Sequence, residues 1–311
     1  MKNSHDDSVD LYDLLLPFLP VPADGTGLVV AIVGGGGKTA TMFSLASAAR
    51  DRGLGVAVTT TTHIRDPRFE TGRNYDRLVL LDETDDGQVH HTPSRGISVI
   101  ASGVLKDEGR LHGLDGGQVA ALRLRFDLVL VEADGSKGLP IKAPAAHEPA
   151  MPAYADLVIG VVGLDCLGKP MDEATVHRPG LFGPLCSCAP GEPINARHIV
   201  ALCQARDGLF KHCPPQAARV LLLNKADRLL PDAGSRAGEG KGNSLGNGAL
   251  AGSGSASGSD AESRLTRLYD DVAVLGGHLD AWLVCSLEPR FRLLNAATTG
   301  RDGRVREGRE G

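Results

Sequence analysis

Aromatic residues are scarce, at 4% of 311 residues with a single tryptophan, so the core has to come from aliphatic side chains. Long apolar runs are missing as well. No segment reaches the ~18 continuous apolar residues that a membrane-spanning helix requires. Excess basic charge is absent: 33 Lys and Arg against 38 Asp and Glu give a formal charge of -5. That balance offers no general attraction to nucleic acid or anionic membranes. The six cysteines form no Cys-x-x-Cys pair, and Cys186-Ser187-Cys188 reads as two small loop residues rather than a metal or redox motif. A reducing compartment fits, and a chain of this length needs no disulfide. The N-terminus holds Asp6, Asp7 and Asp10, where a secretory signal places basic residues. The expectation is a cytoplasmic protein without membrane or nucleic-acid partners.

With 42% hydrophobic residues the chain can fill a sizeable core. Residues 1–27 read as a short helix around Leu11–Leu16 and a proline-rich entry (Pro17, Pro20, Pro22). Leu28–Val33 is a continuous apolar run, the mark of a strand buried on both faces. From Thr41 to Arg52, Met42, Leu45, Ala46 and Ala49 repeat at helical spacing until Gly53. Further strands are expected at Val56–Thr59, Leu78–Leu81, Ser98–Ala101, Leu128–Val131, Leu157–Val162, Val220–Leu223 and Ala281–Cys285. Helices are expected from an Asn195 N-cap to about Arg206, and over Leu265–Leu275. Residues 232–260, rich in Gly, Ser, Ala and Asn, read as a flexible surface insertion, and the tail 300–311 as disordered. Strands alternating with helices predict a single α/β domain over 28–299: a P-loop NTPase-like, three-layer fold with a mostly parallel sheet.

Gly34-Gly35-Gly36-Gly37-Lys38-Thr39 lies between the first strand and its helix. Glycines let backbone N–H groups turn towards phosphate oxygens, and the helix adds its free amides and positive end. Lys38 would supply a cation to terminal phosphates and Thr39 a hydroxyl to Mg²⁺. The usual pattern, G-x-x-x-x-G-K-[ST], needs glycine where Ile32 stands. The loop is G-x-x-G-K-T, two residues shorter, and resembles the compact ATP-binding loop of the Mur ligases. Asp127–Asp134 is an apolar strand ending in Glu132 and Asp134, two acids that a regular strand would point to one side, as Mg²⁺ ligands or to orient water.

Asn224-Lys225-Ala226-Asp227 follows a buried strand, as the guanine-reading N-K-x-D of GTPases does, with Cys285-Ser286-Leu287 placed like the loop that covers guanine. This motif favours GTP and the short loop favours ATP, so both stay open. Thr59–Thr62 are candidate contacts for a γ-phosphate or metal shell, and His63 a candidate proton carrier. Lys137 and Lys142, in the rigid stretch Gly135–Pro144, are candidates for holding an anionic second substrate, and Asp165, His177 and Arg178 form a further polar cluster.

Gly34–Thr39 and Thr59–His63, with Glu132–Gly138, Lys142–Pro149 and Gly163-Leu164-Asp165 through Val176-His177-Arg178, make the chain resemble the YqeC family, accessory proteins of selenium-dependent molybdenum hydroxylases. The resemblance spans about residues 28–230 and the last strand. It implies a P-loop fold and a role in selenium cofactor biosynthesis or insertion, with a molybdenum hydroxylase or its cofactor precursor as partner. It supplies no reaction. It supports Lys38 and Thr39 as phosphate and Mg²⁺ contacts, and Glu132, Asp134, Lys137 and His147 as site residues. The reading is an NTP-dependent maturation factor that hydrolyses NTP or transfers a phosphoryl group. A nucleotide-gated chaperone, or a Mur-like ligase or kinase acting on a small anion, are its rivals.

Overall fold

The computed structural model describes residues 9–21, 25–83, 95–105, 108–229, 268, 270–273, 278–287, 292–299 and 305–308. The insertion expected at 232–260 lies outside them, and of the helix expected at 265–275 the described positions 268 and 270–273 are helical. The main sheet has ten strands: β1 (Leu28–Gly34), β2 (Gly55–Thr60), β3 (Arg77–Leu80), β4 (Gly96–Ala101), β5 (Leu128–Glu132), β6 (Leu157–Gly163), β7 (Ala218–Asn224), β8 (Ala281–Ser286), β9 (Arg292–Thr299) and β10 (Val305–Gly308). Their order is β10-β9-β8-β7-β6-β1-β5-β2-β4-β3. Every pairing from β3 to β8 is parallel, and β9 and β10 close the sheet antiparallel. Besides the helical positions 268 and 270–273, the α-helices among the described residues are α1 (Leu11–Leu15), α2 (Lys38–Asp51), α3 (Gly116–Leu122), α4 (Pro179–Cys186) and α5 (Ala196–Gln204).

The alternation of side chains along β1 sets the layers. Val30 and Ile32 pack with Leu11 and Leu15 of α1 and Met42, Leu45, Ala46 and Ala49 of α2. Val29 faces the other way, onto Val119 and Leu122 of α3. Ala31 and Val33 join the cluster that holds Phe182 of α4 and Ile199 and Leu202 of α5. The sheet is thus covered on both faces, the three-layer α/β arrangement of P-loop NTPase-like folds. No helix among the described residues is long and apolar enough to cross a membrane.

Two small sheets sit beside the main one. His63–Arg65 pairs antiparallel with Arg110–His112, which pairs with Gly103–Leu105. Ile141–Lys142 pairs parallel with Val176–His177. The sequence departs from expectation at three places. The helix after the glycine loop begins at Lys38 rather than Thr41, which puts Lys38 and Thr39 in its first turn. The tail expected to fray from Gly300 contributes β10, because its backbone completes a ladder on β9. Helices α3 and α4 carry no helical signal: the first opens on Gly116-Gly117 and the second holds Gly180, Gly183 and Pro184, all poor helix formers. The start of α3 is rescued by Asp115, whose carboxylate accepts the Gln118 N–H at 2.8 Å.

Candidate functional site

Parallel strands place their carboxyl ends on one edge of the sheet, and β1 is where the strand order turns back. The glycine loop leaves β1, Glu132 ends β5, Asn224 ends β7 and Ser286 ends β8. Together with the 135–138 turn, Arg178 and the small antiparallel sheet they line a cleft of about 670 Å³.

The glycine loop is tight because backbone surrounds it. Gly36 and Gly37 have φ of 77° and 132°. A Cβ on Gly36 would stand 2.2 Å from Gly163 N, and one on Gly37 2.3 Å from the Asn224 amide. The loop amides do not all turn to the cleft as expected. Gly34 N–H donates to the Asp134 carboxylate (3.1 and 3.2 Å), Gly35 N–H to Val161 O (2.9 Å) and Gly36 N–H to Leu139 O (3.0 Å). The scaffold therefore uses the first three. The first helical bond runs from Thr41 N–H to Gly37 O at 2.9 Å, so the amides before it have no carbonyl one turn back. Gly37, Lys38, Thr39 and Ala40 line the cleft, which sets the positive end of a 14-residue helix at its floor.

Lys38 is 4% exposed. Its Nζ donates to Gly34 O (2.9 Å) and Ser136 Oγ (3.3 Å) and stands 3.4 Å from Asp134 and 3.7 Å from Glu132. Burial pulls its pKa down, but the two carboxylates outweigh it, and Lys38 stays a cation. The Thr39 hydroxyl donates to Glu132 Oε2 at 2.8 Å. Burial pushes the Glu132 carboxyl above its ordinary range, against the pull of Lys38 and of the Thr39 hydrogen bond.

Asp134 does not share this position. β5 ends at Glu132, so the alternation that would align the two acids stops there. Asp134 is 2% exposed, lies off the cleft, and is held by the Gly34 amide, Lys38 and Lys142 (3.1 Å). Its placement is that of a loop anchor, not of the metal ligand expected. Lys142 is likewise no free anion binder. It is 1% exposed and donates to Gly135 O and Glu148 Oε2, each at 2.7 Å. Glu148 in turn accepts both arms of the Arg178 guanidinium. Although burial opposes it, these bonds from Arg178 and Lys142 lower its carboxyl to about 2. Charge thus alternates from the loop to the far wall through Lys38, Asp134, Lys142, Glu148 and Arg178. Thirty residues separate Glu148 from Arg178, so no spacing in the sequence marks them as a pair.

Lys137 lies exposed in the cleft mouth, as a site residue should. His147 does not reach the cleft. The turn closed by Glu148 N–H to Ala145 O (3.0 Å) aims Glu148 inward and leaves His147 in solvent. The threonines are also spoken for: Thr59, Thr60 and Thr61 donate to Ile100 O, Glu132 O and Ala150 O, each at 2.7 Å, so they fasten strand ends rather than face phosphate. His63 lines the cleft.

Asn224, Lys225 and Asp227 all reach the cleft, beside Ser286. Asn224 Nδ2 donates to Gly36 O at 2.9 Å, tying the motif to the glycine loop, while its Oδ1 is buried without a donor. Lys225 pairs with Asp165 at 2.9 Å, and Asp227 accepts from the Ser286 hydroxyl. Of the five non-glycine residues described with positive φ, Lys137 (52°), Arg178 (68°) and Lys225 (63°) are cleft-lining cations. Left-handed backbone held at one site marks a place where the surroundings dictate conformation.

Away from the cleft, all six cysteines are free, and burial pushes the Cys186 thiol up to about 12, which leaves it unreactive. Cys188, Glu192 and His198 come within 4.8 Å of one another. The imidazole there is engaged on both sides, with Nδ1 accepting the Asn195 amide (3.2 Å) and Nε2 facing Arg197 Nε (3.3 Å).

A strand–loop–helix on the central strand, with an acidic strand end beside it, places the chain in the class of P-loop NTPase-like α/β proteins. The family model of the YqeC protein matches residues 30–180. "Uncharacterized protein YqeC" of Escherichia coli (strain K12) is 32% identical over 200 residues, which cover 63% of this chain and 75% of that protein. The chain belongs to the YqeC family. The family match takes in the glycine loop, Glu132 and the Lys142–Glu148–Arg178 network, and stops before Asn224–Asp227. No solved structure matches.

Proposed function

We propose that this cleft binds a Mg-nucleoside triphosphate, and that the protein uses it as a maturation factor in selenium cofactor biosynthesis or insertion for molybdenum hydroxylases. One observation carries the nucleotide part: the Thr39 hydroxyl rests on the Glu132 carboxylate at 2.8 Å, directly beside a helix start with open amides and a buried lysine. Open amides and a fixed cation complement terminal phosphates, and a hydroxyl paired with a carboxylate is the hard-oxygen set that Mg²⁺ takes. The ion supplies charge neutralisation to the phosphates. The chain's own residues do the rest. Lys38, held charged by Asp134 and Glu132, stabilises negative charge at the terminal phosphate. Asn224 fixes the loop through Gly36 O, and its orphaned Oδ1 offers an acceptor to a ligand N–H or a water. The maturation role rests on the family resemblance.

Both bases remain in play. Asp227 beside Ser286 in the cleft supports guanine, and the short loop supports ATP. Isothermal titration of Lys38→Ala with Mg-GTP and Mg-ATP tests the reading. The expected result is loss of binding of whichever nucleotide the wild type takes. Unchanged affinity for that nucleotide would falsify the proposal. Phosphate release without a partner separates an enzyme, which turns over alone, from a nucleotide-gated chaperone, which does not.

A further inference from the structure

The cleft has two walls, and a triphosphate at α2 engages one. The other is the ribbon His63–Arg65 with Arg110–His112. In this antiparallel pair Arg65 lies directly opposite Arg110, and His63 directly opposite His112, with ring centroids 5.0 Å apart. Period-two alternation sets all four on one face, while Ile64 and Leu111 between them are buried on the other. Like charges directly opposed across a strand pair destabilise it. Among the described residues these charges are only weakly compensated. The nearest carboxylate to Arg65 is Glu70, at 4.0 Å, and Glu70 is closer to Arg73, at 3.0 Å. The Arg65 side chain is 74% exposed. Arg110 makes no ion pair among the described residues.

Most other cations of the cleft are matched: Lys38 by Glu132 and Asp134, Arg178 by Glu148, and Lys225 by Asp165. The unmatched positive charge therefore gathers on the ribbon, with Lys137 at the mouth. The ribbon follows directly from β2, whose Thr60 hydroxyl and following Thr61 N–H bond Glu132 O at 2.7 and 3.2 Å, so it starts beside the acidic strand end. We propose that Arg65 and Arg110 form a subsite for the phosphate group of a small second substrate, facing the nucleotide across the cleft. Two guanidiniums supply two charges and two planar donor forks, the complement of a phosphate dianion. This deepens the nucleotide reading and rests on it for what lies opposite. The subsite itself can be tested without nucleotide.

The probe is inorganic phosphate, titrated by calorimetry into the wild-type protein and R65Q/R110Q, with Mg-nucleotide titrated separately into both. Arg65 is exposed and Arg110 half-buried, and removing opposed charges should leave the melting temperature unchanged or slightly raised. If the double variant is damaged, R65Q and R110Q singly replace it. The expected result is phosphate binding weakened about tenfold or more, as for loss of charge-assisted pairs, with nucleotide affinity within about threefold. Equal phosphate affinity in wild type and variant overturns the subsite. A parallel fall in phosphate and nucleotide affinity also overturns it, because the arginines would then belong to the nucleotide site. Succinate bound as tightly as phosphate overturns the choice of a phosphate group. A wild type that binds phosphate through these arginines but no nucleotide sinks the nucleotide reading and leaves the subsite standing.

Discussion

Replacing Asp134 by Asn separates two roles that the sequence could not. Asp134 is buried, accepts the Gly34 amide with both oxygens, and faces Lys38 at 3.4 Å and Lys142 at 3.1 Å. Asn keeps the size and one acceptor but turns an NH₂ towards a buried ammonium and removes a countercharge shared by two lysines. Breaking a buried pair from one side costs about 3–5 kcal/mol. Each lysine keeps another acid, Glu132 at 3.7 Å or Glu148 at 2.7 Å, so the low end applies. At ~2–4 °C per kcal/mol for a domain of this size, ~3 kcal/mol lowers the melting temperature by about 6–12 °C. Glu132→Gln should differ. Glu132 faces a single lysine, at 3.7 Å, and Gln keeps an acceptor for the Thr39 hydroxyl, so the stability change stays within about 1 kcal/mol. Differential scanning calorimetry with and without Mg-nucleotide reads both effects. Ligand at 100 times its dissociation constant stabilises by about 2.7 kcal/mol. That increment should survive in Asp134→Asn and be lost in Glu132→Gln. If Asp134→Asn melts within about 2 °C of wild type yet loses the Mg-dependent increment, Asp134 is the metal ligand and the anchor argument is wrong.

Gly36→Ala forces a Cβ to 2.2 Å from Gly163 N at a φ of 77°, and should destabilise by at least about 3 kcal/mol in chemical denaturation. The Glu148 carboxyl falls from 4.5 to about 2 on folding. Its contribution is therefore complete above pH 4.5 and is lost as pH drops through about 2, and Glu148→Gln should flatten that acid limb of the stability curve. His177 is lowered from 6.5 to about 4, first by burial and then by Arg178. Between those values the unfolded chain binds a proton that the native chain refuses, so stability falls as pH drops from 6.5 to 4, and His177→Gln should remove that slope. Asp227→Ala should weaken Mg-GTP binding by about tenfold or more with Mg-ATP unchanged if the carboxylate reads guanine, and identical titrations would exclude base reading there.

Much of the scaffold is readable in one dimension because its causes are local. Continuous apolar runs announce β1, β5 and β6, since a strand covered on both faces has no polar side to show. The helical repeat of Met42, Leu45, Ala46 and Ala49 places α2 behind the glycine loop. The Asn195 N-cap of α5 is correct. What failed had long-range causes. Helices α3 and α4 defy their glycines and proline because packing on the sheet holds them. The ribbon His63–Arg65 with Arg110–His112 joins segments 47 residues apart at its centre, Ile64 against Leu111, and apart from His63 no motif marks either.

The residue types and order of Gly34–Thr39 and Asp127–Glu132 by themselves determined that a strand–loop–helix and an acidic strand end exist, because each is dictated by neighbours along the chain. Only the tertiary structure decided which polar side chains are free. Asp134, Lys142 and Thr59–Thr61 carry the right chemistry for a site yet are consumed by buried ion pairs and backbone carbonyls, whereas Arg65 and Arg110, unremarkable in sequence, stand in the cleft with at most one weak ion pair among the described residues. A buried polar group must find a partner wherever the fold brings one, and that pairing is set in three dimensions.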